Sequence, residues 1–277
     1  MCGSSKSQLW QIDAFADAAF GGNPAAVCLL PAFPDDSWMQ RLAAEMNLSE
    51  TAFLVPTDNR CRFHLRWFTP VNEVDLCGHA TLASMQALRE ANLINRDQEV
   101  HFQTRSGELR CHENDGWISI DLPAIELGKS LSNEARVEVN AALGVDAIEA
   151  HRSTIDWVAV LPEESMVCHL TPDLERIKKL PTRGLMVTAA STQGPHDFVS
   201  RFFSPQYGID EDPVTGSAHC CLAPYWAGRL GRDTLVGLQA SPRSGQVRCQ
   251  VRGDRVALTG KAVTVFSGNL CVQPAVT

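Results

Sequence analysis

Nowhere in its 277 residues does the chain approach the roughly 20 consecutive apolar residues that a membrane helix needs. Its longest apolar runs, such as 25–31, are strand-sized. Runs of lysine and arginine are also lacking, and acidic residues outnumber basic ones by 32 to 24, for a formal net charge of -8. Such a chain has nothing with which to track a phosphate backbone, so neither membrane nor nucleic acid is expected as a partner. The opening Met1-Cys2-Gly3-Ser4-Ser5-Lys6 lacks the apolar core of a signal peptide, and Gly3 stands one place too late for myristoylation. The expected setting is cytoplasmic.

Ten cysteines form no C-x-x-C pair, and eight histidines show neither H-x-x-x-H nor H-x-H spacing. A zinc site therefore has little support, and no metal is expected. The cysteines are scattered through apolar segments and read as reduced, mostly buried, small hydrophobes. A hydrophobic fraction of 44% with 20% charged residues is ordinary globular composition, which argues against disorder. The length suits two domains.

What the chain does have is a repeat. Arg66-Trp67-Phe68-Thr69-Pro70 resembles Arg201-Phe202-Phe203-Ser204-Pro205 at an offset of 135. Cys77-Gly78-His79-Ala80-Thr81 resembles Thr215-Gly216-Ser217-Ala218-His219, and Arg105-Ser106-Gly107-Glu108-Leu109-Arg110-Cys111 resembles Arg243-Ser244-Gly245-Gln246-Val247-Arg248-Cys249, both at 138. Three matches in one order at nearly one offset, half the chain long, indicate two copies of one unit. The change of offset places a three-residue insertion in the second copy between Pro205 and Gly216, where Glu211-Asp212-Pro213 sits.

Both copies have the same predicted order of elements. Alternation predicts strands over 60–68 and 197–203, and shorter strands with turn signals over 100–104, 107–112 and 117–121, then 235–239, 245–251 and 255–259. Between them, 78–91 and 216–230 read as helices apolar nearly all round, which must be buried on every side. Helices over 36–46, 132–143 and 171–180 have ordinary amphipathic character and should pack outside. The fold class expected is α+β: two pseudo-symmetric domains, 1–125 and 126–277, each a mixed β-sheet or barrel around a central buried helix, with the last strand able to cross back to the first domain.

Candidate chemistry gathers at the two helix starts. Gly78 and Gly216 open helices whose first N–H groups lack intrahelical partners, and there a small carboxylate could be held. The bland alternative is that His79 and Ser217 only cap their helices. Glu50 begins an apolar run; composition alone favours a solvated position for it, whereas a partly desolvated carboxylate suits proton transfer. Asp212, ahead of the stiff Pro213-Val214-Thr215, could hold a substrate amine or hydroxyl, or organise its own turn. His79 could relay a proton. His196, in Gly194-Pro195-His196-Asp197, has no partner legible in the sequence and reads as a turn.

Five motifs, Gly22-Asn23-Pro24-Ala25-Ala26-Val27, Leu48-Ser49-Glu50-Thr51-Ala52-Phe53, Arg66-Trp67-Phe68-Thr69-Pro70, Cys77-Gly78-His79-Ala80-Thr81-Leu82-Ala83 and Glu211-Asp212-Pro213-Val214-Thr215-Gly216-Ser217-Ala218, together resemble the phenazine-biosynthesis PhzF-like isomerase family. The resemblance runs in order over 11–268. It implies the diaminopimelate-epimerase-like fold with an active site between the domains, and a homodimer. It also implies cofactor-free isomerisation, in which a glutamate matching Glu50 moves a proton between carbons of a small cyclic or amino carboxylate. His79, Asp212 and Ser217 match the family's substrate-placing residues.

Two alternatives stay open. Epimerases of that fold use two cysteines, one at each helix start; here Cys77 fills the first place and Thr215 the second, and a threonine hydroxyl is too weak an acid to replace a thiolate. A racemase using Cys77 is thereby disfavoured. A non-enzymatic small-molecule-binding relative is the other alternative.

Overall fold

The computed structural model describes residues 7–192 and 194–272; Cys2 and the rest of the opening segment lie outside them. Two compact units divide the chain: one holds the residues up to Asp121 and those from Thr259 on, the other Leu122–Leu258.

The first unit contains β1 (Gln8–Ala14), β2 (Asn23–Leu29), α1 (Asp36–Met46), β3 (Glu50–Pro56), β4 (Arg62–Phe68), β5 (Glu73–Val74), α2 (Gly78–Glu90), β6 (Glu99–Thr104), β7 (Gly107–Asn114) and β8 (Trp117–Pro123). The second contains β9 (Leu127–Ser130), α3 (Asn133–Leu143), β10 (Glu149–Ser153), β11 (Trp157–Val160), α4 (Glu164–Cys168), α5 (Leu174–Ile177), β12 (Leu185–Ala190), β13 (Phe198–Ser204), β14 (Ile209–Asp212), α6 (Gly216–Leu230), β15 (Thr234–Gln239), β16 (Gly245–Arg252) and β17 (Arg255–Gly260). The last strand, β18 (Ala262–Asn269), returns to the first unit and pairs antiparallel with β1.

The repeat is a repeat of topology. β2 and β3 run parallel with α1 as the crossover, and β11 and β12 run parallel across α4 and α5. β3–β4 and β12–β13 are antiparallel, β4–β6 and β13–β15 parallel, β6–β7 and β15–β16 antiparallel. In each unit the strands have one face on the buried helix and the other under the outer helices. In α2, residues 78–88 are all buried, packed against β1, β2, β3 and β18. α6 packs on β15 and β16. On the outer side, Met39 and Ala43 of α1 meet Cys28, Phe53 and Phe68, while Val139, Leu143, Val167 and Ile177 meet Trp157, Leu185 and Phe203.

Local chemistry sets the element ends. Asp35 and Ser132 cap α1 and α3 by accepting from the N–H groups of Trp38 and Ala135. The helix expected over 171–180 is only the single turn of α5: Asp173 caps it, and Pro181 forbids continuation. Pro224 lies inside α6 and deprives the Cys220 carbonyl of its helical donor; the Ile125 N–H fills that place at 3.0 Å.

A charged brace is duplicated too. Arg66 Nε and Nη2 donate to both oxygens of Glu73, each at 2.7 Å, and Arg201 grips Glu211 in the same fork at 2.7 and 2.8 Å. Glu73 and Glu211 are already 138 apart, which corrects the site of the insertion. The added residues lie between Pro205 and Glu211, where a 3-10 turn (Pro205–Tyr207) sits, and Asp212 is the counterpart of Val74: each pairs with the matching strand residue, Phe202 or Trp67. Both pairs are largely shielded from solvent. Glu211→Gln breaks one fork and strands the Arg201 charge, so it should lower the unfolding free energy by about 3 kcal/mol in urea titrations; an unchanged midpoint would deny the brace a structural role.

Candidate active site

In the first unit, Glu50 is the first residue of β3 and His79 the second of α2. His79 Nε2 lies 3.1 Å from Glu50 Oε2, with side-chain exposures of 6% and 16%, so Glu50 is not in the solvated position that composition favours. This is a charge contact whose angle falls outside hydrogen-bond geometry. His79 Nδ1 lies 3.5 Å from Cys77 Sγ. Burial opposes protonation of His79, but Cys77 and the Glu50 carboxylate together outweigh it and raise the imidazole well above its ordinary range.

Cys77 occupies the N-cap position and makes no side-chain cap, and His79 does not cap either. Thr81 Oγ1 instead ties down the Cys77 carbonyl at 2.5 Å. Glu50, Cys77 and His79 present an oxygen, a sulfur and a nitrogen within 4.8 Å of one another, so they are also the side chains that could ligate a divalent ion.

In the second unit the same frame carries different groups. Gly216 and Ser217 open α6, and Thr215, at the N-cap, again gives no side-chain cap. The Thr215 hydroxyl donates to Asp212, while Gln239 accepts from the Thr215 N–H at 2.8 Å and donates to the Asp212 carbonyl at 2.7 Å. His219, the counterpart of Thr81, donates from Nδ1 to the Thr215 carbonyl at 2.9 Å. Ser217 Oγ accepts from Arg183 Nη2 at 3.0 Å.

The structure thus joins Glu50 to His79 and sets Gly78 beside them; in the other unit it groups Asp212 with Gly216 and Ser217. Sequence reasoning missed Thr81, His219, Gln239 and Arg183. Thr81 and His219 carry a positional signal, since each stands four residues after an N-cap. His196 also has a partner: Nε2 lies 2.9 Å from Glu164 Oε1.

A profile of phenazine biosynthesis-like proteins matches residues 12–268. The chain belongs to the phenazine biosynthesis-like protein family. An uncharacterized isomerase of Pseudomonas aeruginosa is 47% identical over 262 residues, spanning 95% of this chain and 98% of that protein. Among solved structures, a PhzF-family protein of Enterococcus faecalis superposes with a TM-score of 0.87 at 39% identity, covering 96% of this chain and all of the other. A hydroxyproline epimerase from Agrobacterium vitis covers 97% of this chain and has 93% of its own length covered, with a TM-score of 0.63 at 13% identity. That last likeness is one of fold, diaminopimelate-epimerase-like. The protein is an isomerase of this family, and among the described residues no helix is long and apolar enough to cross a membrane.

Two titrations follow. Burial, then the Glu50 charge, push the Cys77 thiol up to about 11, so at pH 8 it should react with iodoacetamide about a hundredfold or more slower than glutathione, read by mass spectrometry. Labelling at the glutathione rate would contradict the buried, protonated thiol. Burial lowers His219 to about 4, and its Nε2 has no hydrogen-bond partner among the described residues. The unfolded chain takes up that proton first, so stability is full above pH 6.5 and falls by about 3 kcal/mol toward pH 4. His219→Gln should flatten that slope in denaturation curves taken across the window; an unaltered slope would assign it to other groups.

Proposed function

We propose that this isomerase works without a cofactor and shifts a proton between carbons of a small cyclic or amino carboxylate, with Glu50 taking the proton and returning it. His79, in charge contact with Glu50, steadies the carboxylate in its working orientation and hydrogen-bonds substrate. The uncapped N–H groups at Gly78, and those at Gly216 with Ser217, each suit a carboxylate. Asp212, oriented by Thr215, suits an amine or hydroxyl.

The observation that carries this reading is that the two copies differ at the position of Glu50: the first has a carboxylate there and the second has none. Strand pairing makes Thr51 and Leu185 counterparts, since each lies opposite the matching phenylalanine, Phe68 or Phe203; Glu50 therefore corresponds to Gly184. A Cβ at Gly184 would sit 2.3 Å from the Phe202 ring, so a second carboxylate has no room there. Thr215 stands where the first copy has Cys77. Racemisation by two opposed bases needs one in each half, and at the positions matching Glu50 and Cys77 the second half has Gly184 and Thr215. General acid–base work of this kind supplies about 10²–10⁴-fold; orientation must supply the rest.

Glu50→Gln should abolish solvent deuterium incorporation into small cyclic amino carboxylates that the wild-type protein exchanges, while its melting temperature stays within a few degrees. Undiminished exchange in that variant would remove Glu50 from the mechanism.

A further inference from the structure

The counterpart position just described does more than lack a base. Gly184 is preceded by Arg183, so where the first copy aims a carboxylate at the second residue of its buried helix, the second copy aims a guanidinium. Arg183 is held in a fixed attitude. Its Nε donates to Asp156 Oδ1 at 2.9 Å and its Nη2 to Asp156 Oδ2 at 2.5 Å, the parallel fork that locks a guanidinium plane. Asp156 is fully buried, whereas the Arg183 side chain is 39% exposed. The Phe202 ring lies under the guanidinium, 5.5 Å from its carbon.

The third bond is the informative one: Nη2 also donates to Ser217 Oγ at 3.0 Å. A serine oxygen that accepts from a cation must send its own proton elsewhere. Nη1 has no acceptor among the described residues. Two donors, Arg183 Nη1 and the Ser217 O–H, thus stand beside the uncapped start of α6 with no hydrogen-bond acceptor among the described residues, and the Asp212 carboxylate is close enough to act on the guanidinium charge without taking a hydrogen bond from it.

We propose that Arg183 is the residue that selects for a carboxylate on the substrate, reading it directly through Nη1 and orienting the Ser217 hydroxyl as a second donor, with buried Asp156 as the clamp that keeps the guanidinium plane fixed. A planar carboxylate matches two donors on one guanidinium and hydroxyl frame; a carboxamide of the same shape offers one oxygen and a repelled NH₂. This rests on the carboxylate-isomerase reading above and adds the residue that enforces its substrate class.

The test compares anthranilate with anthranilamide, which differ only in that group, by isothermal titration. The wild-type protein should favour anthranilate, and Arg183→Gln should reduce anthranilate affinity by about tenfold to a hundredfold while leaving anthranilamide nearly unchanged. Arg183→Lys, which keeps the charge and loses the fork, should recover only part of the preference. Because Arg183→Gln leaves buried Asp156 unpaired, the double variant Asp156→Asn with Arg183→Gln removes the charges together and should show the same lost preference with a normal circular dichroism spectrum. A double variant that still prefers the carboxylate, or a wild-type protein with no preference, overturns the proposal. Both results leave the role of Glu50 untouched, since that is read by deuterium exchange, and failed exchange with intact carboxylate preference would sink the isomerase mechanism alone.

Discussion

Each unit is organised around a helix that has no polar face to give to water. Burying such a helix satisfies its backbone internally along its length but leaves one end exposed to a strict requirement, because the first N–H groups have no partners and the residue before them must be pinned. Both copies pin it the same way, through a side chain four residues on that grips the N-cap carbonyl, and they use different chemistry to do so: the Thr81 hydroxyl in one, the His219 imidazole in the other. The hairpin tips add a second fastening. Ser106 Oγ donates to the Asp75 carbonyl and Ser241 Oγ to that of Pro213, the residue 138 positions later. With the helix start so held, its N–H groups are left for something other than a cap.

On this common frame the copies have diverged in charge. One places a carboxylate and an imidazole at the helix start, the pair that proton transfer calls for. The other places a guanidinium and a hydroxyl there, with Asp212 nearby, and leaves no room for a carboxylate at position 184, the counterpart of Glu50, because Phe202 lies where its Cβ would go. The duplicated Arg–Glu forks behind both sites, Arg66–Glu73 and Arg201–Glu211, show what the chain keeps when a position is structural. The contrast between conserved brace and altered helix start separates scaffold from chemistry without reference to any other protein.

How much of this the sequence discloses depends on how local the signal is. The buried helices were legible because small apolar residues fill them on every side, and the strands at 62–68 and 107–114 because their burial alternates. Glu50, His79, Asp212 and Ser217 were legible as candidates because they stand in or beside repeated motifs. Arg183 was not, because β12 and β3 share a place in the sheet and almost no residues, so only strand register reveals that Gly184 answers to Glu50. The helix expected over 171–180 shrinks to 174–177 because Pro172 and Pro181 bound it more tightly than its apolar spacing suggests. The motif offsets at 70 and 78 leave the insertion anywhere between them, and only the Arg–Glu fork, which pairs Glu211 with Glu73 as counterparts, fixes it ahead of Asp212.

The central claim is that one carboxylate handles the proton in both directions. The most direct measurement is a first-turnover experiment in ordinary water with a substrate deuterated at the carbon that loses its hydrogen, reading the product by mass spectrometry. A single base that keeps the abstracted deuteron should return part of the label to the product. Product free of deuterium from the first turnover, beside recovered substrate that retains all of it, would mean that the returned proton is not the abstracted one and would contradict the account.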